Sequence, residues 1–346
     1  MPIIEHMKRT DKQTAPRRRD LLARSATLLA ASGVLATSPG APQGTAHKLV
    51  RPRSSPKRYE MKKSINLWAF PYPSQWTLRE CFQLARDAGF DGVELNFELT
   101  GEFSMESSDA QIRGIGRLAR DNGITVSGVC SFLFWPYPLT AADTQRRKRA
   151  LALANRMIQA TAFLETDNLL VVPGAVYAPW VEGFQAVPND VCDRLAREAI
   201  RKLIPQAEKA HVFLNIENIF SNGFLFSPQE VAAFVDSFGS PWVRAHFDTG
   251  NIMQYQFPEH WIPILGHRIK NVHCKEWDKR TQEFTLHTFR PLLAGSTNWP
   301  AVIEALDKTN YHGYLTFEYF QPFQYYPEAL IYQTSDALDW MLGRKG

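Results

Sequence analysis

Cysteine is scarce and unpatterned in this chain. Cys81, Cys130, Cys192 and Cys274 are the only four in 346 residues, none in a CxxC pair and none at zinc-motif spacing. That excludes a cysteine-based structural zinc site and leaves the thiols as buried apolar groups. No glycine-rich fingerprint follows any apolar run, which weighs against a dinucleotide-binding fold. No apolar run is long enough to span a bilayer, since the best stretch, over 21–34, is interrupted by Arg24, Ser25 and Gly33. A formal charge of only +4 comes from Lys and Arg concentrated near the N-terminus. The remainder is acidic or near neutral, so composition gives no argument for nucleic-acid binding.

Residues 1–60 read as a leader rather than part of the fold. Arg18-Arg19-Asp20-Leu21-Leu22 resembles the twin-arginine export motif and precedes the mildly apolar stretch over 21–34. A Pro-rich linker follows to about Pro56, with cleavage expected near 36–38 or 44–46. This predicts a periplasmic or secreted protein whose catalytic domain spans 61–346, with no stable membrane anchor. Met61-Lys62-Lys63 offers an alternative start, which would leave the protein cytoplasmic.

From Ser64 onward, short β-branched and aromatic runs alternate with amphipathic stretches. The pattern predicts strands over 65–70, 92–97, 124–131, 168–172, 212–218, 243–248, 269–273 and 313–318. Between and after them it predicts helices over 77–88, 108–122, 142–163, 189–210, 228–238, 259–265, 299–309 and 327–342. Strict alternation of eight strands with eight helices favours a closed parallel (β/α)8 TIM barrel over an open sheet. Two connections are long, 132–143 and 275–298, and long loops at the catalytic face build or cover pockets.

Four predicted strands in the C-terminal half end on a metal-ligating residue type: Glu217, Asp248, His273 and Glu318. The C-terminal strand ends of a barrel converge on one mouth, and consecutive strands are neighbours. An oxygen-rich set with a single imidazole suits Mn²⁺ first, then Mg²⁺ or Co²⁺, better than structural zinc. Without an ion, repulsion among the carboxylates should raise at least one pKa.

Longer stretches carry a family resemblance: 88–95 (AGFDGVEL), 215–218 (NIEN), 247–251 (FDTGN), 272–276 (VHCKE) and 311–318 (YHGYLTFE). From about Lys63 to the end the chain resembles the xylose-isomerase-like TIM barrels of the sugar phosphate isomerase/epimerase group. Ketose 3-epimerases, hydroxypyruvate isomerases and inosose dehydratases belong to that group. The resemblance implies that Glu217, Asp248, His273 and Glu318 bind a divalent metal and that Glu217 and Glu318 form the acid/base pair. It implies a small sugar substrate and, as is common in the group, a homo-oligomer. The metal would chelate a ketose carbonyl and neighbouring hydroxyl, acidify the adjacent C–H and stabilise an enediolate, while the two carboxylates move the proton. The sequence departs from the free-ketose 3-epimerases at Asn251, where they usually carry histidine, and at Lys279, where they tend to carry arginine.

Several further residues are candidates for substrate contact. His246 lies two residues before Asp248 on the same strand face, and Glu94 faces the mouth or interior from strand two. Lys275 could bind a substrate oxygen or phosphate, Asn251 follows the strand-six aspartate, and Trp68, Trp135 and Tyr137 could stack on a sugar ring. Arg290 is a weaker anion candidate. Cys274 should point away from the mouth, because side chains alternate. The leading expectation is a metal-dependent keto-sugar epimerase or isomerase. A dehydratase or lyase acting on keto-sugars or 3-keto-glycosides would use the same proton abstraction, and a non-catalytic sugar-binding barrel is a third reading. An apurinic endonuclease would need a histidine-rich multinuclear zinc site, whereas strands two and three here end in Glu94-Leu95-Asn96 and Cys130-Ser131-Phe132.

Overall fold

The computed structural model describes residues 57–281 and 285–345. The twin-arginine motif, apolar stretch and linker expected over 1–56 lie outside the described residues. Eight parallel strands close into a barrel: β1 (Lys62–Asn66), β2 (Gly92–Asn96), β3 (Thr125–Cys130), β4 (Asn168–Val171), β5 (Phe213–Glu217), β6 (Val243–Asp248), β7 (Ile269–Cys274) and β8 (Tyr314–Phe317). Each pairs with its sequence neighbours, and β1 pairs with β8 to close the ring. Among the described residues, eight α-helices are interleaved: α1 (Leu78–Asp87), α2 (Asp109–Asp121), α3 (Thr144–Phe163), α4 (Asn189–Ala210), α5 (Pro228–Asp236), α6 (Pro258–Leu265), α7 (Trp299–Lys308) and α8 (Pro327–Met341).

Local sequence explains where these helices begin and end. Thr77, Ser108 and Ser227 start α1, α2 and α5 with reciprocal capping boxes to Glu80, Gln111 and Glu230. Gly89 and Gly123, with φ of 87° and 68°, take the left-handed turns that follow α1 and α2. The expected first strand over 65–70 is corrected: β1 stops at Asn66, and a 3-10 turn covers Leu67–Ala69. The cause is the Asn66 side chain, whose Oδ1 accepts from the Trp68 amide at 2.8 Å and bends the chain. Helix α3 starts at Thr144 rather than 142, because Asp143 caps it through the Arg146 amide.

Strand alternation separates two interiors. Ile65, Val93, Leu95, Val129, Leu214, Ile216, Phe247, Val272, Leu315 and Phe317 are all fully buried and point outward against the helices; Phe247 stacks on Trp261 of α6 with centroids 6.1 Å apart. The alternate positions point into the barrel and are polar: Ser64, Asn66, Glu94, Ser127, Asn168, Asn215, His246, Asn271 and Thr316, again all buried. Barrel interiors are usually filled by layers of branched apolar side chains. A hydrogen-bonding lumen beneath the mouth is therefore a property of this sequence. Cys274 takes the outward face, as alternation predicts: it registers with outward-facing Phe317. All four thiols are free and buried.

The connection after β7 is organised by one carboxylate. Glu276 begins a two-stranded antiparallel ribbon, Glu276–Trp277 with Phe289–Arg290. Its side chain is 1% exposed and accepts from the amides of Trp277, Leu293 and Thr297, from Thr297 Oγ1 and from Trp299 Nε1. The loop is thereby tied to the start of α7. Glu276→Ala strands these donors in a dry site and is expected to destabilise the protein by about 3 kcal/mol or more. Urea unfolding of the variant beside the wild type measures this, and an unchanged midpoint would show that the loop is held by its apolar contacts instead.

Candidate metal centre

The ends of β5, β6, β7 and β8 deliver Glu217, Asp248, His273 and Glu318 to one place. All four are buried, and each offers a ligand atom within 4.8 Å of the others. His273 Nδ1 lies 3.9 Å from Glu217 Oε1, 3.8 Å from Asp248 Oδ2 and 3.5 Å from Glu318 Oε1. Donors about 2.1–2.2 Å from a shared cation stand roughly 3–4.4 Å apart, so the spacing fits a small divalent ion. Among the described residues His273 Nδ1 has no well-aligned hydrogen-bond partner, with Glu318 Oε1 nearest of the three carboxylates at 3.5 Å, and an orphaned buried nitrogen facing carboxylates fits a cation ligand.

Backbone contacts hold the donors in place. Asn218, next to Glu217, brackets the Asp248 main chain: Nδ2 donates to its carbonyl at 2.8 Å and Oδ1 accepts from its amide at 2.9 Å. Asp248 Oδ1 accepts from the amides of Gly250 and Asn251, turning Oδ2 toward the cluster. Thr249 Oγ1 donates toward the carbonyls of His273 and Lys275 and accepts from the Lys275 amide, stitching the two strand ends together. Gly250 is required by proximity, because a Cβ there would lie 2.8 Å from Lys275 Cβ.

Lys275 is the cation of this cluster. Its side chain is almost fully buried, with Nζ 2.9 Å from Asp248 Oδ2 and in contact with Glu318 Oε2. At such separations the charge interaction dominates. Nζ donates to Asn251 Oδ1 at 3.1 Å. Phe220, Phe289 and Phe320 surround the ammonium, their centroids 5.4, 5.1 and 5.3 Å from Nζ. Asn251 reaches from Lys275 to Glu217, donating to Glu217 Oε1 at 3.3 Å.

The other candidates fall into two groups. Trp68 packs on Phe320 at 5.0 Å and Phe132 at 6.4 Å, while Trp135 stacks on Phe220 at 6.4 Å, so both join the ring cluster around Lys275. Tyr137 is half-buried against the core. Glu94 and His246 lie against the other face of His273: Glu94 Oε2 is 2.7 Å from His273 Nε2, and the His246 ring stands edge-on to it at 4.1 Å. Arg290 pairs with Asp278 at 3.8 Å, and Lys279 sits over Phe257 and donates to the Gln256 carbonyl, so neither joins the cluster. Sequence reasoning missed Asn66, Asn96 and Cys130, which meet at the ends of β1, β2 and β3 with both Asn Nδ2 groups on Cys130 Sγ. Strand alternation from Glu94 could have pointed to Asn96. It missed Phe220, Phe289 and Phe320 as well; only their aromatic character marked them.

The environment drives the two glutamates apart. Burial raises the Glu217 carboxyl, and the charges of Glu318 and Asp248 raise it further, to about 8. Burial also opposes ionisation of Glu318, but Lys275 and His273 outweigh it and hold that carboxyl well below the usual range. Asp248 is raised, chiefly by burial. Lys275 is opposed by burial but kept as an ammonium by Asp248 and Glu318. Burial likewise opposes charge on His273, which Glu94 and Glu318 nonetheless push well above its ordinary value.

The chain matches the model of the xylose isomerase-like TIM barrel family over residues 82–341 and belongs to that family. Similar solved structures include an L-ribulose 3-epimerase (20% identity, TM-score 0.67, covering 82% of this chain and 96% of that one). A D-psicose 3-epimerase determined in the presence of D-fructose is alike at 20% identity and TM-score 0.67, covering 82% and 100%. A 3-keto-D-glucoside 4-epimerase from E. coli shares 17% identity with a TM-score of 0.63, covering 81% and 98%. At these identities the likeness is one of fold. No curated protein matches the chain.

The raised Glu217 carboxyl sets a pH signature. In the metal-free folded protein it keeps a proton that the unfolded chain, at the ordinary value of 4.5, has already released. Its contribution to stability therefore falls as pH rises from about 5 to 8. Glu217→Gln removes this group, so the variant should gain on the wild type across that window, by a few kcal/mol at most. Urea midpoints in chelator at pH 5 and pH 8 check this; parallel behaviour of the two proteins would mean that Glu217 is ionised throughout.

Proposed function

We propose that this protein is a divalent-metal-dependent epimerase or isomerase of keto-sugars, acting by proton transfer at the carbon beside a carbonyl. The observation that carries the reading is the convergence of Glu217, Asp248, His273 and Glu318 at one buried mouth, each offering a ligand atom within 4.8 Å of the others, with the Glu217 carboxyl pushed up and that of Glu318 pushed down. Carboxyl groups whose environments push their pKa values apart are the mark of an acid/base pair. Glu318, ionised beside Lys275, is the base that removes the C–H proton. Glu217, protonated, returns one, and Asn251 orients it through the contact to Oε1. Lys275 keeps Glu318 ionised for that role through their ion pair.

Glu217, Asp248, His273 and Glu318 would hold the ion, with Mn²⁺ the best match to this donor set and Mg²⁺ or Co²⁺ next. A bound divalent cation supplies Lewis acidity, which lowers the pKa of the C–H to be broken. The substrate proposed is an unphosphorylated ketose or keto-glycoside: the sequence carries no glycine-rich phosphate cradle. The similar structures are an L-ribulose 3-epimerase, a D-psicose 3-epimerase and a 3-keto-D-glucoside 4-epimerase, which is in keeping with this class.

Incubation with Mn²⁺ in D₂O, with ketoses and 3-keto-glucosides followed by NMR, tests the reading. Deuterium should enter beside the carbonyl as a new stereoisomer appears, and Glu217→Gln and Glu318→Gln should each slow this by about 10²–10⁴-fold. Release of an aglycone or of water would reassign the protein as a lyase. Exchange that persists in both variants would remove the glutamates from the chemistry.

A further inference from the structure

We propose that Glu94 is a positioning residue that fixes the tautomer of His273, turning the Nδ1 lone pair toward Glu217, Asp248 and Glu318. The inference rests on the reading of that cluster as a metal site. Glu94 stands on β2, across the lumen from β7, and is 1% exposed. Its Oε2 lies 2.7 Å from His273 Nε2 and accepts from Asn66 Nδ2 at 2.7 Å. A neutral imidazole has one N–H, and a carboxylate can only accept. Metal ligation requires the neutral imidazole, and in that form the contact keeps the one proton on Nε2 and leaves Nδ1 to the ion. A carboxylate on the far nitrogen of a metal-bound histidine also orients the ring and raises its basicity.

The surroundings are shaped to bring this carboxylate across the barrel. The register of β2 against β3 shifts between Val93 and Glu94, and such irregularities re-aim side chains. Gly128 of β3 faces Glu94, and a Cβ there would already stand 3.3 Å from Glu94 Oε1. Asn66 is itself held by the Trp68 amide through its Oδ1, which presents Nδ2 to Glu94. His246, beside Glu94, stands edge-on to His273 with an interplanar angle of 77° and limits rotation of that ring.

A second ion is the competing use of these residues, because Glu94, His246 and His273 offer ligand atoms within 4.8 Å of one another. The 2.7 Å separation of Glu94 from His273 argues against it. Two ligands sharing a divalent cation stand roughly 3 Å or more apart, so the observed contact is a direct hydrogen bond with no room between.

The test compares full-length wild type with Glu94→Gln and Glu94→Ala. Imidazole ¹⁵N correlation spectra with Mg²⁺ report the tautomer, and calorimetry with Mn²⁺ reports affinity and stoichiometry. Wild type should bind one Mn²⁺ and show His273 protonated at Nε2. Glu94→Gln should keep that tautomer, because Asn66 holds the amide oxygen toward the imidazole, and it controls for folding. Glu94→Ala should lose the single tautomer and weaken Mn²⁺ binding by about 10–100-fold. Unchanged tautomer and affinity in Glu94→Ala would overturn the inference alone. Two Mn²⁺ in wild type, one lost in both Glu94→Ala and His246→Ala, would make Glu94 a ligand instead. Failure of wild type to bind any divalent ion would overturn the metal reading and this inference together.

Discussion

Three carboxylates buried within a few ångströms of each other are the constraint to which the rest of the barrel mouth answers. Two like charges about 4 Å apart repel by roughly 4 kcal/mol at an effective dielectric near 20, and burial adds a desolvation cost for each. Glu217, Asp248 and Glu318 are all in this position. The chain answers with Lys275, whose ammonium pairs with Asp248 and Glu318 and is enclosed by three phenylalanine rings. The remaining strain falls on Glu217, whose carboxyl is pushed up by burial and by the charges of Glu318 and Asp248. The asymmetry between two chemically identical side chains thus follows from which of them is nearer the lysine.

That arrangement depends on the closed sheet. Only a parallel barrel with neighbouring strands in sequence order sets four consecutive strand ends side by side. The polar lumen extends the site downward. Glu94 reaches His273 from the opposite wall, and Asn66 holds Glu94 in turn. The outer layer is apolar and supplies the stability that this hydrogen-bonded interior does not. Glu276 extends the logic to the long connection after β7, where one buried acceptor gathers donors scattered along the loop.

Much of the barrel was readable from hydrophobic periodicity, because period-2 runs and capped amphipathic stretches are local signals. The strands ending at Glu217, Asp248 and His273 were legible for this reason. The first strand was overextended, since the bend after Asn66 comes from one side-chain hydrogen bond that no periodicity encodes. The leader expected over 1–56 falls outside the described residues.

By itself the sequence determined the alternation of strand and helix, the four donor residue types at successive strand ends and the outward face of Cys274. Each is a property of neighbours along the chain. The tertiary structure alone decided that Glu94 meets the far nitrogen of His273, that Lys275 folds back among the carboxylates, and that Phe220, Phe289 and Phe320 come together around it. Those contacts join residues from different strands and loops across the mouth and lumen. Their distances exist only once the sheet has closed, and the opposite shifts of the Glu217 and Glu318 carboxyls follow from those distances.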